Sequence, residues 1–116
     1  MRILHTSDWH LGRTFLSESM HSHQEVFVDW LLELVAIERV ELIVIAGDVY
    51  DRAVPPAESV RLFNRALVDV SAVCPVFVTP GNHDSAIRLG FGSELMRTNG
   101  VHIRSEISEI NVPLEI

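Results

Sequence analysis

The chain has 116 residues and a mass of 13.0 kDa, which is one domain or part of one. Apolar residues make up 47 % and charged residues 22 %, so a packed core is available, and disorder, collagen and coiled coil are excluded. The single cysteine, Cys74, excludes a disulfide framework and a thiolate zinc cluster.

Sixteen acidic and nine basic residues leave a net charge of −7, and every basic residue is arginine. A chain that holds nucleic acid through its own field has the opposite sign. Either the partner is not nucleic acid, or bound cations and a partner chain supply the positive field. No apolar run approaches the ~20 residues that cross a bilayer, and the run after Met1 is too short for a signal peptide. The expectation is a soluble, cytoplasmic protein.

In chain order, Ile3–Thr6 is a short apolar run before turn residues and predicts a strand. Ser22–Arg39 predicts a helix. Phe27, Trp30, Leu31, Leu34 and Val35 recur at helical spacing, and Glu25, Asp29 and Glu33 lie on another face. Leu42–Ala46 predicts a second, buried strand. Pro56–Val70 predicts a second helix opened by proline, with Val60, Phe63, Leu67 and Val70 as its apolar stripe. Arg61, Arg65 and Asp69 are spaced by four on its other side. Val76–Thr79 predicts a third strand. A short helix at Ser93–Thr98 and a short strand at Val101–Arg104 follow. Ile110–Ile116 alternates strictly and predicts a half-buried strand, with Pro113 suited to an edge. Continuous apolar strands joined by helices imply an α/β fold. Its sheet would be mainly parallel and covered on both faces.

Sites in such sheets form at the carboxyl ends of strands. The first predicted strand is followed by Ser7-Asp8-Trp9-His10, the second by Gly47-Asp48-Val49-Tyr50-Asp51-Arg52, and the third by Pro80-Gly81-Asn82-His83-Asp84. Carboxylate, imidazole and amide donors without thiolate suit Mn²⁺, Fe²⁺ or Zn²⁺. Asp8 and His10 are two apart and, if extended, point the same way toward one ion. An aspartate from the second strand on the same rim would bridge two ions. Gly47 and Gly81 let the backbone turn sharply beside them.

The pattern D-x-H, then G-D-x-x-D, then G-N-H-D resembles the calcineurin-like metallophosphoesterases. The stretch His5-Thr6-Ser7-Asp8-Trp9-His10-Leu11-Gly12 is similar to the opening of a bacterial exonuclease branch of that superfamily. His23-Gln24, Asp29-Trp30-Leu31-Leu32, Ala46-Gly47-Asp48-Val49-Tyr50-Asp51 and Pro55-Pro56 extend the likeness to about Gly100. The resemblance implies an αββα sandwich, of which this chain supplies the first βαβαβ half. It implies two divalent ions, Mn²⁺ foremost, with Asp8 and His10 on one, Asp48 bridging and Asn82 on the other. His83 stands beside the phosphate without binding metal, and Asp51 supports His83. Members carry further histidines downstream, including a G-H-x-H pair, whereas only His102 follows His83 here. That departure implies an N-terminal part of a longer nuclease domain, truncated before those motifs and weak or inactive by itself. The implied activity is 3′–5′ exonuclease and endonuclease cleavage of DNA in recombination, repair and replication. The implied partners are DNA, a coiled-coil ATPase of the ABC type and a second copy of the chain. A small-molecule or phosphoprotein phosphoesterase on the same fold is the alternative, and a catalytically incomplete fragment is another.

Several residues carry plainer readings. Asp84 suits a helix N-cap or a partner behind the site better than a ligand. Trp9 suits packing beside the metal loop better than stacking on a base, and Arg52 suits an ordinary surface arginine better than a phosphate contact. His5 reads as a core histidine, and His21, His23 and His102 as structural or solvated ones. Cys74 reads as a small buried residue rather than a nucleophile.

Overall fold

The computed structural model describes residues 1–116. In chain order come β1 (Ile3–Thr6), a hairpin of β2 (Thr14–Phe15) and β3 (Glu18–Ser19), and α1 (His21–Ile37). After these lie β4 (Leu42–Ala46), α2 (Ala57–Ser71), β5 (Val76–Thr79), α3 (Ala86–Leu89), α4 (Ser93–Arg97) and β6 (Val101–Ile103). A 3-10 turn follows at Ile107–Glu109. The main sheet has the order β1-β4-β5-β6 and all its pairings are parallel. The α/β class, the parallel sheet and its three leading strands match the sequence reading.

Register lines up Leu4, Ile43, Val76 and Val101 across the sheet, then Thr6, Ile45, Val78 and Ile103. Of these, all but Leu4 and Thr6 are buried, beneath Val28, Leu31 and Val35 of α1 and Leu62, Phe63 and Ala66 of α2. The next row, His5, Val44, Phe77 and His102, lies on the opposite face and is exposed or half-buried. Helices therefore cover one face, not two. The strands add in sequence order, and crossovers of one hand between consecutive neighbours put every helix on the same side. Coverage of both faces needs a reversal in strand order, which this chain lacks. His5, read as a core residue, stands exposed on the uncovered face for the same reason.

The helices begin and end near their predicted bounds. Arg39, at φ 52°, ends α1 with Val40 N–H on the Val35 carbonyl at 3.0 Å, and Val40 folds back into the core. Two stripe members point outward: Trp30 is 52 % exposed and Val60 45 %. Val28 and the pair Ser59 and Leu62 take the inward positions instead. The predicted strand Ile110–Ile116 does not form. Glu109 accepts hydrogen bonds from Ser105 N at 3.1 Å and Glu106 N at 3.2 Å, and Arg104 Nη1 donates to its carbonyl. This network closes the 3-10 turn and carries the chain across the open face. Val112 and Leu114 there line a cavity of about 440 Å³ with Phe77 and Thr79. No helix is long and apolar enough to cross a membrane.

Candidate metal centre

The β1–β4 pairing does not stop where the strands stop. Asp8 N–H donates to Gly47 O at 3.1 Å, His10 N–H to Asp48 O at 2.9 Å and Leu11 N–H to Val49 O at 2.9 Å. Asp51 N–H returns to Leu11 O at 3.0 Å. The two loops thus continue the ladder beyond the sheet and hold their side chains in register. Gln24 of α1 fastens the first loop from behind. Its amide donates to His10 O at 2.8 Å and its oxygen accepts from Gly12 N–H at 3.1 Å.

Asp8, His10 and Asp48 all adopt left-handed backbone, with φ of 56°, 46° and 48°. Such conformations cost non-glycine residues on the order of 1–3 kcal/mol each and persist only where surroundings over-determine them. The ladder and Gln24 are those surroundings. Asp8 and His10 are therefore not extended, as their spacing suggested, yet their side chains still meet. Donor atoms of Asp8, His10 and Asp48 all lie within 4.8 Å of one another. His10 Nε2 is 3.5 Å from Asp8 Oδ1 and 3.7 Å from Asp48 Oδ2. Asp48 Oδ1 is engaged by His83 N–H at 2.9 Å, which leaves Oδ2 free on the side of His10. Two carboxylates and an imidazole at one rim form a donor set that fits a divalent cation of the Mn²⁺, Fe²⁺ or Zn²⁺ kind.

Asp8 is 64 % exposed at its side chain, whereas His10 and Asp48 are nearly enclosed. The Ser7 hydroxyl donates to Asp8 Oδ2 at 2.6 Å and, with His10 and His83 nearby, holds the Asp8 carboxyl below its ordinary pKa. The acid is ready as an anion.

Asp51 stands where β4's loop returns, and donor atoms of His10, Asp51 and His83 lie within 4.8 Å of one another, but its carboxylate hydrogen-bonds His10 and not His83. Asp51 Oδ1 lies 3.1 Å from His10 Nδ1, and Arg13 Nε lies 3.5 Å from the same oxygen. Nδ1 is then the protonated nitrogen of His10 and Nε2 the one turned to the carboxylates. His83 instead meets the Asp51 main chain, Nδ1 to carbonyl at 3.0 Å. The His10 and His83 rings meet edge to face at 5.1 Å between centroids. Asn82 follows Gly81 at the same rim and is exposed. Arg52 is also exposed.

Gly47 and Gly81 serve different needs. Gly47 takes φ 84°, which a side chain rarely adopts. Gly81 is needed for closeness, because a Cβ there would stand 2.7 Å from Asp48 Cγ. Trp9 packs under the loop between Phe27 and Phe63, at 5.3 and 5.9 Å between ring centroids, and its Nε1–H donates to Thr6. Cys74 is buried, which pushes its thiol pKa up and keeps it unreactive. Sequence reasoning missed Ser7, Gln24 and Arg13. None of them has a spacing that announces a role: Ser7 and Arg13 belong to the loop itself, and folding brings Gln24 of α1 to it.

A rim of carboxylate and imidazole donors at the ends of parallel strands suits one class of protein, and comparison with known proteins agrees. Residues 1–112 match the family model described as calcineurin-like phosphoesterase, and the chain belongs to that family. Among characterised relatives it is similar to SbcD of the SbcCD nuclease of Escherichia coli (strain K12), 44 % identical over 83 % of this chain and 24 % of that protein. It is also similar to SbcD of the SbcCD nuclease of Staphylococcus saprophyticus, 34 % identical over 100 % of this chain and 31 % of that protein. The chain thus spans about a quarter to a third of the length of these relatives.

Proposed function

We propose that the chain carries the first part of the metal centre of a DNA-cleaving phosphodiesterase. The observation that carries this reading is the convergence of Asp8, His10 and Asp48, with donor atoms within 4.8 Å of one another, beside His83. The likeness to the SbcD nucleases supports DNA as the substrate.

Asp8 and His10 hold one divalent ion, Asp48 stands between two, and Asn82 serves the second, with Mn²⁺ the first choice. When bound, two such ions neutralise the scissile phosphate and acidify a water for in-line attack. Asp51 keeps His10 in the tautomer that offers Nε2. His83, with Nδ1 on the Asp51 carbonyl, keeps Nε2 free to steady the departing oxygen. In this reading the chain is the N-terminal part of a longer nuclease domain, and the remaining donors come from elsewhere in the whole protein. That protein acts as a 3′–5′ exonuclease and endonuclease in recombination, repair and replication, in the cytoplasm. It works as a dimer with a coiled-coil ABC ATPase of the SbcC type. Bound cations and that partner offset the chain's net charge of −7 toward DNA.

The test is His83→Gln in the whole protein, assayed on double-stranded DNA, a cyclic nucleotide and a phosphopeptide. Mn²⁺ binding should persist while DNA turnover falls by about 10²–10⁴-fold. Loss of metal by calorimetry would overturn the role of His83. Faster turnover of phosphopeptide or cyclic nucleotide than of DNA would overturn the substrate.

A further inference from the structure

Asp84 makes no hydrogen bond to a candidate donor side chain, yet both its carboxylate oxygens are engaged. Oδ1 accepts from Tyr50 N–H at 2.8 Å, and Oδ2 accepts from Val49 N–H at 3.1 Å and Gly81 N–H at 2.9 Å. Val49 and Tyr50 follow Asp48 directly, and Gly81 directly precedes Asn82. One side chain therefore ties the turn after β4 to the turn after β5. It is not a helix cap, because Ser85 holds that place on α3 and accepts from Arg88 N–H.

We propose that Asp84 is a positioning residue that sets the separation of Asp48 and Asn82, and so brings the second ion's donors together. The proposal rests on the reading above, in which those two residues share an ion. The Asp8, His10 and Asp48 trio has a second support besides Asp84, the β1–β4 loop ladder, which holds Asp8 and His10 against Asp48. Asn82 has no such ladder. Its turn is joined to Asp48 through Asp84, through His83 N–H on Asp48 Oδ1 and through Gly47 N–H on Thr79 O. The clamp also requires a carboxylate. All three partners are donors, and both oxygens accept, so an amide of the same size would press an NH₂ group against an N–H.

The experiment is an NMR titration of the whole protein with Zn²⁺, a diamagnetic ion of the class the donor set fits, following the His10 ring and the Asn82 side-chain amide. In the wild type both respond, each with its own midpoint. In Asp84→Asn the His10 midpoint stays put while that of Asn82 rises about tenfold or more, the scale of losing a group behind a ligand. An unchanged Asn82 midpoint overturns the proposal, and so does a parallel rise at His10, which general loosening would produce. Amide hydrogen exchange of the metal-free wild type tests the clamp without any variant. Val49, Tyr50 and Gly81 should be protected together, and fast exchange at Gly81 alone overturns it. Absence of any Zn²⁺ response at His10 in the wild type would instead sink the metal reading, and the proposal with it, even where the amides are protected.

Discussion

Replacing Gly81 by alanine puts a methyl group where the Asp48 carboxylate already stands. The added Cβ would lie 2.7 Å from Asp48 Cγ, against the 3.4 Å at which ordinary contact begins. Gly81 does not have a positive φ, so the cost is steric rather than conformational. Relief requires the turns after β4 and β5 to part. Forcing a methyl into a packed site costs about 1–3 kcal/mol. Parting the turns also weakens the bond from His83 N–H to Asp48 Oδ1, and a hydrogen bond to a charged group is worth about 1.5–3 kcal/mol. The two losses overlap, so a net destabilisation of about 2–4 kcal/mol is expected. With an unfolding entropy of about 2.1 cal/mol/K per residue, a chain of this length loses roughly 8–16 °C in Tm. Circular-dichroism melting of the Gly81→Ala chain measures this. An Mn²⁺ titration followed by electron paramagnetic resonance should show at least about tenfold weaker binding, since 1.4 kcal/mol lost at a displaced ligand is a factor of ten. A Tm within about 2 °C of wild type together with unchanged Mn²⁺ affinity would refute the argument that the two turns are in van der Waals contact.

Other expectations follow from single observations. Ser59 is fully buried and its Oγ has no partner, so Ser59→Ala should raise stability by about 1 kcal/mol, or about 4 °C in a melt; a clear drop in Tm would show a hidden partner. Asp51→Ala should weaken Mn²⁺ binding by about 10–100-fold, and Asp51→Asn less, because an amide oxygen still accepts from His10 Nδ1–H; equal losses would argue against orientation of the ring. Tyr50 is the only tyrosine, and burial, aided by Asp84, pushes its pKa up to about 12. Absorbance at alkaline pH should therefore show a late phenolate transition. The folded state keeps its proton where the unfolded chain has lost it, so stability falls as pH rises from about 10 toward 12. A midpoint at the ordinary tyrosine value in the folded protein would contradict the burial of Tyr50.

Strands β1, β4 and β5 and both long helices could be read from the chain because local chemistry decides them. Short β-branched runs and a helical period over fifteen or more residues leave few alternatives. The convergence of Asp8, His10 and Asp48 was legible for the same reason, since strand ends are local features and the fold class places them on one rim. The hairpin of β2 and β3 was not legible. Its turn residues Leu16 and Ser17 sit at φ 50° and 65° without the Asn-Gly pair that announces such a turn. Ile110–Ile116 misled because alternation states a preference but does not supply a partner strand, and the Glu109 network turned the chain away first. Which faces the helices cover depended on strand order, a property of the whole chain and not of any segment. The direction of Asp51 toward His10, the clamp made by Asp84 and the closeness that demands Gly81 are likewise tertiary. Each involves residues more than thirty positions apart, and only the continued β1–β4 ladder and the β4–β5 pairing bring them within hydrogen-bond reach.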